Sequence, residues 1–584
     1  EPIYPYLQPL DTVCNAPDSD LWHTLIEADN YHALQLLEYL YAGKVDCIYI
    51  DPPYNTGARD WKYNNDYVDG NDTYRHSKWL SMMEKRLQLA KKLLNPNDSV
   101  LIVTIDEKEY LHLGCLLEEI FSEARMQMVT SVISAKGVVR TGQFSRVEEY
   151  IFVIEFGSSS LVPGIYNMLD NEVKKESERS IEWLGFRRRA PQAKRESRPN
   201  QFYPVFVRKN DGTIHSIGDV VKAGIDRNSI EIPDGCIALW PLSKDSDERL
   251  WSLVPEQARL NLSKGFLRVN NWSSKEKTGT VYYLPSGTIR DIETGKAVIT
   301  GRNPDGSVIA KYTDEGVTPP KRVWNMKTHN AETYGTNVLN AMIGKRFDYP
   351  KSLYAVQDTL RFFVANKPNA LIVDFFAGSG TTLHAVNLLN AEDGGHRRCI
   401  LVTNNEVSAD EAKTLSAQGY QPGDPEWEQY GIASYVTWPR TVCSIEGHDV
   451  NGKPLKGDYI TSGEEPMHMA DGFKANAAFF KLGFLDKNAV ALGRQFKELL
   501  PVLWLKAGAH GPCPSLEEAA EVPAMLVLPE NHFAVLTDES QYETFATQVN
   551  IEDAITTVYI VTDSEPGYRE MISGLHAEDT YQLY

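Results

Sequence analysis

Three features of this 584-residue chain predict an α/β fold built on a mostly parallel sheet. Apolar strands and amphipathic helices alternate from about residue 22 to residue 156. The alternation stops between about 157 and 335, and it returns near 336. Such alternation buries a sheet on both faces, the signature of parallel strands joined by helical crossovers. The interruption predicts an inserted, β-rich domain. A chain of this length exceeds a single core. Four parts are therefore expected: 1–156, an insert over 157–335, 336–440, and an acidic α+β C-terminal domain over 441–584.

The elements follow in order. Residues 22–40 read as a short strand, a turn at Asp29-Asn30 and a helix with apolar residues at helical spacing. "VDCIYI" is a strand that runs into Asp51, where two prolines end it because proline cannot donate to a ladder. The polar, aromatic stretch 58–76, with Trp61, Tyr63, Tyr67 and Tyr74, reads as a long loop. Residues 77–94 are a helix capped by Ser77, with Leu80, Met83, Leu87, Ala90 and Leu94 on one face. "SVLIVTID" is a buried strand, 107–121 a helix, and "EYIFVIEF" a further strand. After the insert, "ALIVDFFAGSGTTLHAV" (370–386) is a strand, a glycine turn and a helix start, and "CILVTNNE" is the next strand.

Apolar content of 42% and charged content of 24% are ordinary for a globular protein. No run of about 18 apolar residues occurs, so no membrane span is expected. The seven cysteines are scattered without a Cys/His cluster, which argues against a disulfide scaffold or structural zinc and fits a reducing cytoplasm. The net charge of −20 opposes a nucleic-acid partner only on average. Residues 471–584 hold 7 basic and 17 acidic residues, half of the imbalance, whereas "RRRAPQAKRESR" at 187–198 holds six basic residues and one acidic.

Two motifs carry chemistry. Gly378 and Gly380 let backbone amides approach a ligand beside a helix N-terminus. A P-loop is excluded, since Thr381 and not lysine follows Gly380, and the three-glycine dinucleotide pattern is absent. A nucleoside-type pocket beside Phe376 remains, with Glu406 ending the next strand 26 residues after Gly380, where an acidic side chain takes ribose hydroxyls. The second motif, Asp51-Pro52-Pro53-Tyr54, is a stiff corner that offers a carboxylate, backbone carbonyls and an aromatic ring.

"DPPY" at 51–54 together with "FAGSG" at 376–380 resembles the S-adenosylmethionine-dependent methyltransferases that modify exocyclic amines of DNA. The catalytic motif precedes the cofactor motif by 325 residues, which resembles the permuted β-group order, with a target-recognition domain between the halves. "DYPKSLYAV" (348–356) and "IEADNYHALQLL" (26–37) resemble the family's further cofactor motif and its N-terminal strand-turn-helix. The likeness covers about 1–156 and 336–440 and is greatest to modification subunits of type III restriction–modification systems and related solitary methyltransferases. It implies a Rossmann-like mixed seven-stranded methyltransferase sheet, S-adenosylmethionine as cofactor, double-stranded DNA as substrate, a homodimer, a restriction subunit as partner, and a prokaryotic cytoplasm.

The resemblance assigns Asp51, Pro52, Pro53 and Tyr54 to catalysis, and Asp29, Asn30, Lys351, Asp374, Phe376, Gly378, Gly380, Thr381, Thr382 and Glu406 to the cofactor. Adenine N6 is a poor nucleophile. The Asp51 carboxylate and the Pro52 carbonyl can draw its two N–H bonds into a geometry that restores electron density on nitrogen, while Tyr54 stacks on the base for roughly 1–3 kcal/mol. Cytosine-N4 methylation uses the same chemistry, but its enzymes more often carry serine in place of Asp51, so adenine is favoured. A second alternative is a DNA-recognition subunit of a larger restriction complex. A flipped base costs a few kcal/mol, which contacts elsewhere must offset. Lys136, Arg140, Arg146, Arg187, Arg188, Arg189, Lys194, Arg195 and Arg198 are the candidate DNA contacts, weighed against a solvated charged face.

Overall fold

The structure, a computed structural model, describes residues 4–56, 58–63, 66–137, 142, 144–164, 167–169, 181–188, 194–243, 245–294, 296–312, 320–461, 463, 465–485, 496–516 and 522–583. The chain forms two compact units, one of residues 1–171 with 319–584 and one of residues 172–318.

The first unit is organised by one sheet of ten strands. In chain order these are β1 (Tyr4–Cys14), β2 (Trp22–Glu27), β3 (Cys47–Ile50), β4 (Asp98–Ile105), β5 (Arg125–Val132), β6 (Glu148–Gly157), β7 (Val323–Trp324), β8 (Leu371–Asp374), β9 (Arg398–Thr403) and β10 (Asn476–Leu485). Their spatial order is β1-β10-β2-β9-β8-β3-β4-β6-β5-β7. The central run from β10 to β4 is parallel. The pairs β1–β10, β4–β6 and β6–β5 are antiparallel.

Both faces of this sheet are buried, as parallel strands require. Successive residues of β3 and β4 enter opposite cores. Ile48, Ile50, Leu101 and Val103 pack into one, and Cys47, Tyr49, Val100 and Ile102 into the other. The flanking helices include α1 (Asn30–Tyr41), α2 (Arg75–Leu93), α3 (Tyr110–Ile120), α4 (Leu353–Val364), α5 (Thr381–Asp393) and α6 (Trp438–Glu446). α2 starts two residues before Ser77, and its last turn carries Lys91 and Lys92, which complement the negative end of the helix dipole.

The sheet holds three strands more than the seven implied by the sequence motifs. β1 contains Pro5 and Pro9, which read as strand breakers, yet it is an edge strand, where a missing donor costs little. β10 comes from the acidic tail and lies between β1 and β2. Residues 441–584, expected as a domain of their own, thus share the compact unit of the central sheet. Within the tail, four strands over 525–583 form a second sheet around Ala534, Leu536, Phe545 and Ile560. Tyr559 of that sheet donates to the Leu503 carbonyl at 2.8 Å, on a helix spanning Phe496–Lys506.

Residues 172–318 are β-rich, as expected. They contain two three-stranded sheets and a hairpin pairing Ala297–Arg302 with Val308–Tyr312. Phe186, Tyr203, Val205, Trp251 and Leu267 form a core of this unit. Among the described residues of the whole chain, no helix is long and apolar enough to cross a membrane.

Chain direction across the sheet places the site. From β3 the chain crosses to β4 on one side, and from β8 to β9 on the other. The boundary between β8 and β3 is therefore a topological switch point, and a crevice opens there at the carboxyl ends of the strands.

The seating of β10 generates a test. Phe480 is 1% exposed, and its ring centroid lies 5.9 Å from that of Trp504. Phe480→Ala is expected to destabilise the first unit by about 3–5 kcal/mol, read as a lowered urea midpoint. An unchanged midpoint would show that the tail strand is not integral to the sheet.

Candidate active site

β3 stops at Ile50, and Asp51 projects from its carboxyl end. The following corner is anchored from below, where the buried Trp79 indole of α2 donates to the Pro53 carbonyl at 2.7 Å. The Thr104 hydroxyl donates to Asp51 Oδ1 at 2.5 Å. Lys351 Nζ stands 3.3 Å from the same oxygen and 2.5 Å from Glu149 Oε2. The Tyr54 hydroxyl donates to Glu149 Oε2 at 3.2 Å and also meets Lys351 Nζ. The ammonium lies 4.7 Å from the Tyr54 ring centroid as well.

Charge explains how this group coexists in a largely buried place. Burial by itself lowers the pKa of the Lys351 ammonium, but the Asp51 and Glu149 carboxylates outweigh it and raise the pKa above the ordinary lysine value. Burial, reinforced by the same two carboxylates, pushes the Tyr54 phenol well above its usual range, so it keeps its proton and serves as a donor. One lysine thus balances two carboxylates.

The glycine turn is built just as tightly. β8 ends at Asp374, whose Oδ1 accepts from the Phe376 backbone amide at 3.0 Å and whose Oδ2 accepts from the Thr382 hydroxyl at 2.6 Å. Burial raises Asp374 to about 7 despite these bonds, and Asp51 adds to the rise. Gly378 and Gly380 adopt φ of 48° and 78°. Thr437 donates to the Gly378 carbonyl at 2.6 Å, and Arg440 to the hydroxyls of Ser379 at 3.0 Å and Thr381 at 2.7 Å. Burial lowers Arg440 to about 10.

A cleft of about 840 Å³ joins the two motifs. Asp51 and Pro53 border it, together with the predicted Asp29, Asn30, Phe376, Gly378 and Glu406. A smaller cavity of about 100 Å³ shares Asp51, Phe376 and Gly378 and is lined further by Lys351, Asp374, Thr381 and Thr382. Asp29 also caps α1, accepting from the Tyr31 amide at 2.9 Å. Asn30 donates to the Phe375 carbonyl at 2.9 Å and accepts from Arg86 Nε at 2.5 Å, which ties α1 and α2 to the end of β8.

The placements refine the sequence reading. Lys351, grouped with the cofactor contacts, bonds to the Asp-Pro-Pro-Tyr corner. Asp374, Thr381 and Thr382 hold the glycine turn through their side chains. Pro52 is buried, and Gly380 supplies a left-handed backbone against Thr437. Glu149, Thr104, Phe347, Arg86 and Ile432 were not singled out. Glu149 left no local signal: β6 runs antiparallel to β4, with Tyr150 paired to Ile105, so the start of β6 arrives where the parallel strands end.

Among the basic candidates, Arg195 is 6% exposed, donates to Glu248 Oε2 at 2.8 Å and to carbonyls of Val221 and Ile225, and stacks 4.2 Å from the Phe202 ring centroid. It is a core strut and not a phosphate contact. Arg146 is bonded to the Glu148 carbonyl at 2.9 Å and paired with Asp106 at 3.5 Å. Arg187 and Arg188 donate to the Leu242 and Ser252 carbonyls. Lys136, Lys194 and Arg198 are exposed. Arg140 and Arg189 lie outside the described residues, as do the side chains of Trp61, Tyr63 and Tyr67 in the aromatic stretch.

Fold and site define a class: a doubly wound α/β protein whose cleft joins an acidic Asp-Pro-Pro-Tyr corner to a glycine turn. Residues 45–413 match the N6/N4 DNA methylase family, and the chain belongs to it. It is 28% identical over 427 residues to the type III restriction-modification enzyme EcoPI Mod subunit of Escherichia phage P1, across 68% of this chain and 59% of that protein. Over 413 residues it is 28% identical to the type II methyltransferase M.KpnI of Klebsiella pneumoniae, across 68% of this chain and 82% of the other. Over 541 residues it is 26% identical to the type III StyLTI Mod subunit of Salmonella typhimurium, across 85% and 72%. The match thus spans less than two thirds of the phage subunit's length.

An added Cβ at Gly380 would meet Thr437 Cγ2 at 3.2 Å and would sit on a left-handed backbone. Gly380→Ala is expected to cost roughly 1–2 kcal/mol. Thermal unfolding checks this, and an unshifted midpoint would mean that the turn relaxes freely.

Proposed function

We propose that this protein transfers the methyl group of S-adenosylmethionine to the N6 amine of an adenine in double-stranded DNA. The carrying observation is the cleft that brings Asp51 and Pro53 together with Phe376, Gly378, Asn30 and Glu406. This set suits a nucleoside-bearing cofactor. A polar amide and a carboxylate serve ribose and base, an aromatic ring serves as a flat partner, and at Gly378 an added Cβ would lie 3.6 Å from the Phe347 ring. When bound, the cofactor supplies an electrophilic methyl on a sulfonium.

The chain's own residues supply orientation and charge. Asp51 accepts one N–H of the amine. The Trp79 indole engages the Pro53 carbonyl, so the Pro52 carbonyl is assigned as the second acceptor. Thr104 and Lys351 fix the Asp51 carboxylate. The hydroxyl contacts of Tyr54 set the tilt of the ring assigned to stack on the base. As the nitrogen attacks, positive charge develops on it beside two carboxylates balanced by one ammonium, a preorganised stabilisation. The base must leave the duplex to reach this corner. Exposed Lys194 and Arg198 of the inserted unit and Lys136 are the residues assigned to phosphate contact. The relatives named as Mod subunits of type III restriction-modification enzymes support a restriction subunit as partner, and a homodimer is part of the same proposal.

Asp51→Ala is expected to abolish methyl incorporation into DNA while leaving cofactor affinity within a few-fold of the parent. Retained turnover would refute the catalytic assignment. Glu406→Ala is expected to weaken cofactor binding about tenfold or more, the loss of one charge-assisted hydrogen-bond set at 1.4 kcal/mol per decade. Calorimetry reads this directly, and unchanged affinity would remove Glu406 from the pocket. Mass spectrometry of hydrolysed product DNA separates N6-methyladenine from N4-methylcytosine.

A further inference from the structure

A second cluster of chemistry-bearing groups lies outside the cleft. His76 sits in the first turn of α2, and Glu109 and His112 stand three residues apart at the start of α3. Their donor atoms all fall within 4.8 Å of one another. The Glu109 carboxylate is fully buried, while the two imidazoles are 35% and 47% exposed, so the group is open to solvent from one side. The rings face each other with centroids 4.8 Å apart.

Glu109 is over-committed on one oxygen and idle on the other. Oε1 lies 2.5 Å from His76 Nδ1 and accepts from the Asn55 amide at 2.5 Å. Oε2 is buried and makes no hydrogen bond, although His112 Nδ1 is only 3.2 Å away. Buried, unbonded carboxylate oxygens are rare and call for a partner. Two donors on a tetrahedral zinc, each about 2.0–2.1 Å from the ion, stand roughly 3.3 Å apart. The Oε2 to Nδ1 gap has that width.

We propose that His76, Glu109 and His112 form a site for a single divalent transition-metal ion of the zinc class. Two imidazoles and one carboxylate suit zinc, cobalt or nickel and not magnesium or calcium, which take all-oxygen sets. Arg75 Nε donates to His76 Nε2 at 3.3 Å, which places the ring proton on Nδ1, toward Glu109. The ion binds His76 Nδ1 in the ring's Nε2–H tautomer, so the ring proton moves from Nδ1 to Nε2, the 3.3 Å contact from Arg75 is given up, and water completes the fourth position.

The site also has a mechanical consequence. Asn55, buried with φ of 55°, directly follows Tyr54 and is bonded to Glu109. An ion here holds the first turns of α2 and α3 and the exit of the Asp-Pro-Pro-Tyr corner on one point. α2 is the helix whose Ser81, Met82 and Arg86 border the cleft.

The test is titration of the full chain, stripped of metal, with cobalt(II). A visible absorption band of four-coordinate cobalt, saturating at one equivalent, is expected, together with a zinc-induced rise in the thermal midpoint. Both are expected to be lost in His112→Gln and in His76→Gln, which replace partly exposed side chains and leave the cleft residues in place. Absence of the band in the parent chain, or binding undiminished in both variants, overturns the proposal.

Discussion

Everything at the site depends on one short strand pairing. β8 meets β3 through Ile372 opposite Cys47 and Val373 opposite Ile48. These few backbone bonds, buried between two apolar cores, put residues more than 300 positions apart side by side. Parallel pairing carries the consequence, because both strands then end at the same edge and Asp51 and Asp374 emerge together. An antiparallel pairing would have sent the acidic corner and the glycine turn to opposite edges. The loop-closure cost of joining such distant segments grows only slowly with length, so an insert of well over a hundred residues between them is tolerated.

Buried polar groups at this edge differ in what they bond to. Asp374 spends both oxygens on the turn that follows it, and Arg440 spends its guanidinium on the hydroxyls of that turn. The glycine turn is thereby held by a carboxyl that burial raises to about 7 and by a guanidinium that stays charged although burial lowers it to about 10. The corner at Asp51 is different. It retains two carboxylates, one ammonium and a protonated phenol within a few ångströms, a charged arrangement that costs desolvation and is retained where charge has work to do. One cleft thus borders both a turn braced by its own side chains and a corner that concentrates charge.

Charge on the rest of the chain follows the same need for local reading. The acidic tail, half of the net charge, contributes an internal strand of the central sheet and a packed second sheet. The basic run at 187–198 is divided by the fold. Arg195 is a buried strut, Arg187 and Arg188 brace carbonyls, and Lys194 and Arg198 remain exposed. A count of charges in sequence treats these as equals, but burial does not.

The sequence by itself determined the α/β rhythm, the β-rich insert, and the two motifs with their permuted order. These are local: apolar periodicity sets strands and helices, prolines end β3, and glycines permit the positive φ of the turn. Tertiary structure alone decided the three additional strands, the use of Thr381, Thr382 and Asp374 as braces, and the arrival of Glu149, Thr104 and Lys351 around Asp51. The reason is physical. Sheet neighbours are chosen by burial and register across hundreds of residues, and no local pattern records which side chain will stand opposite a given strand end.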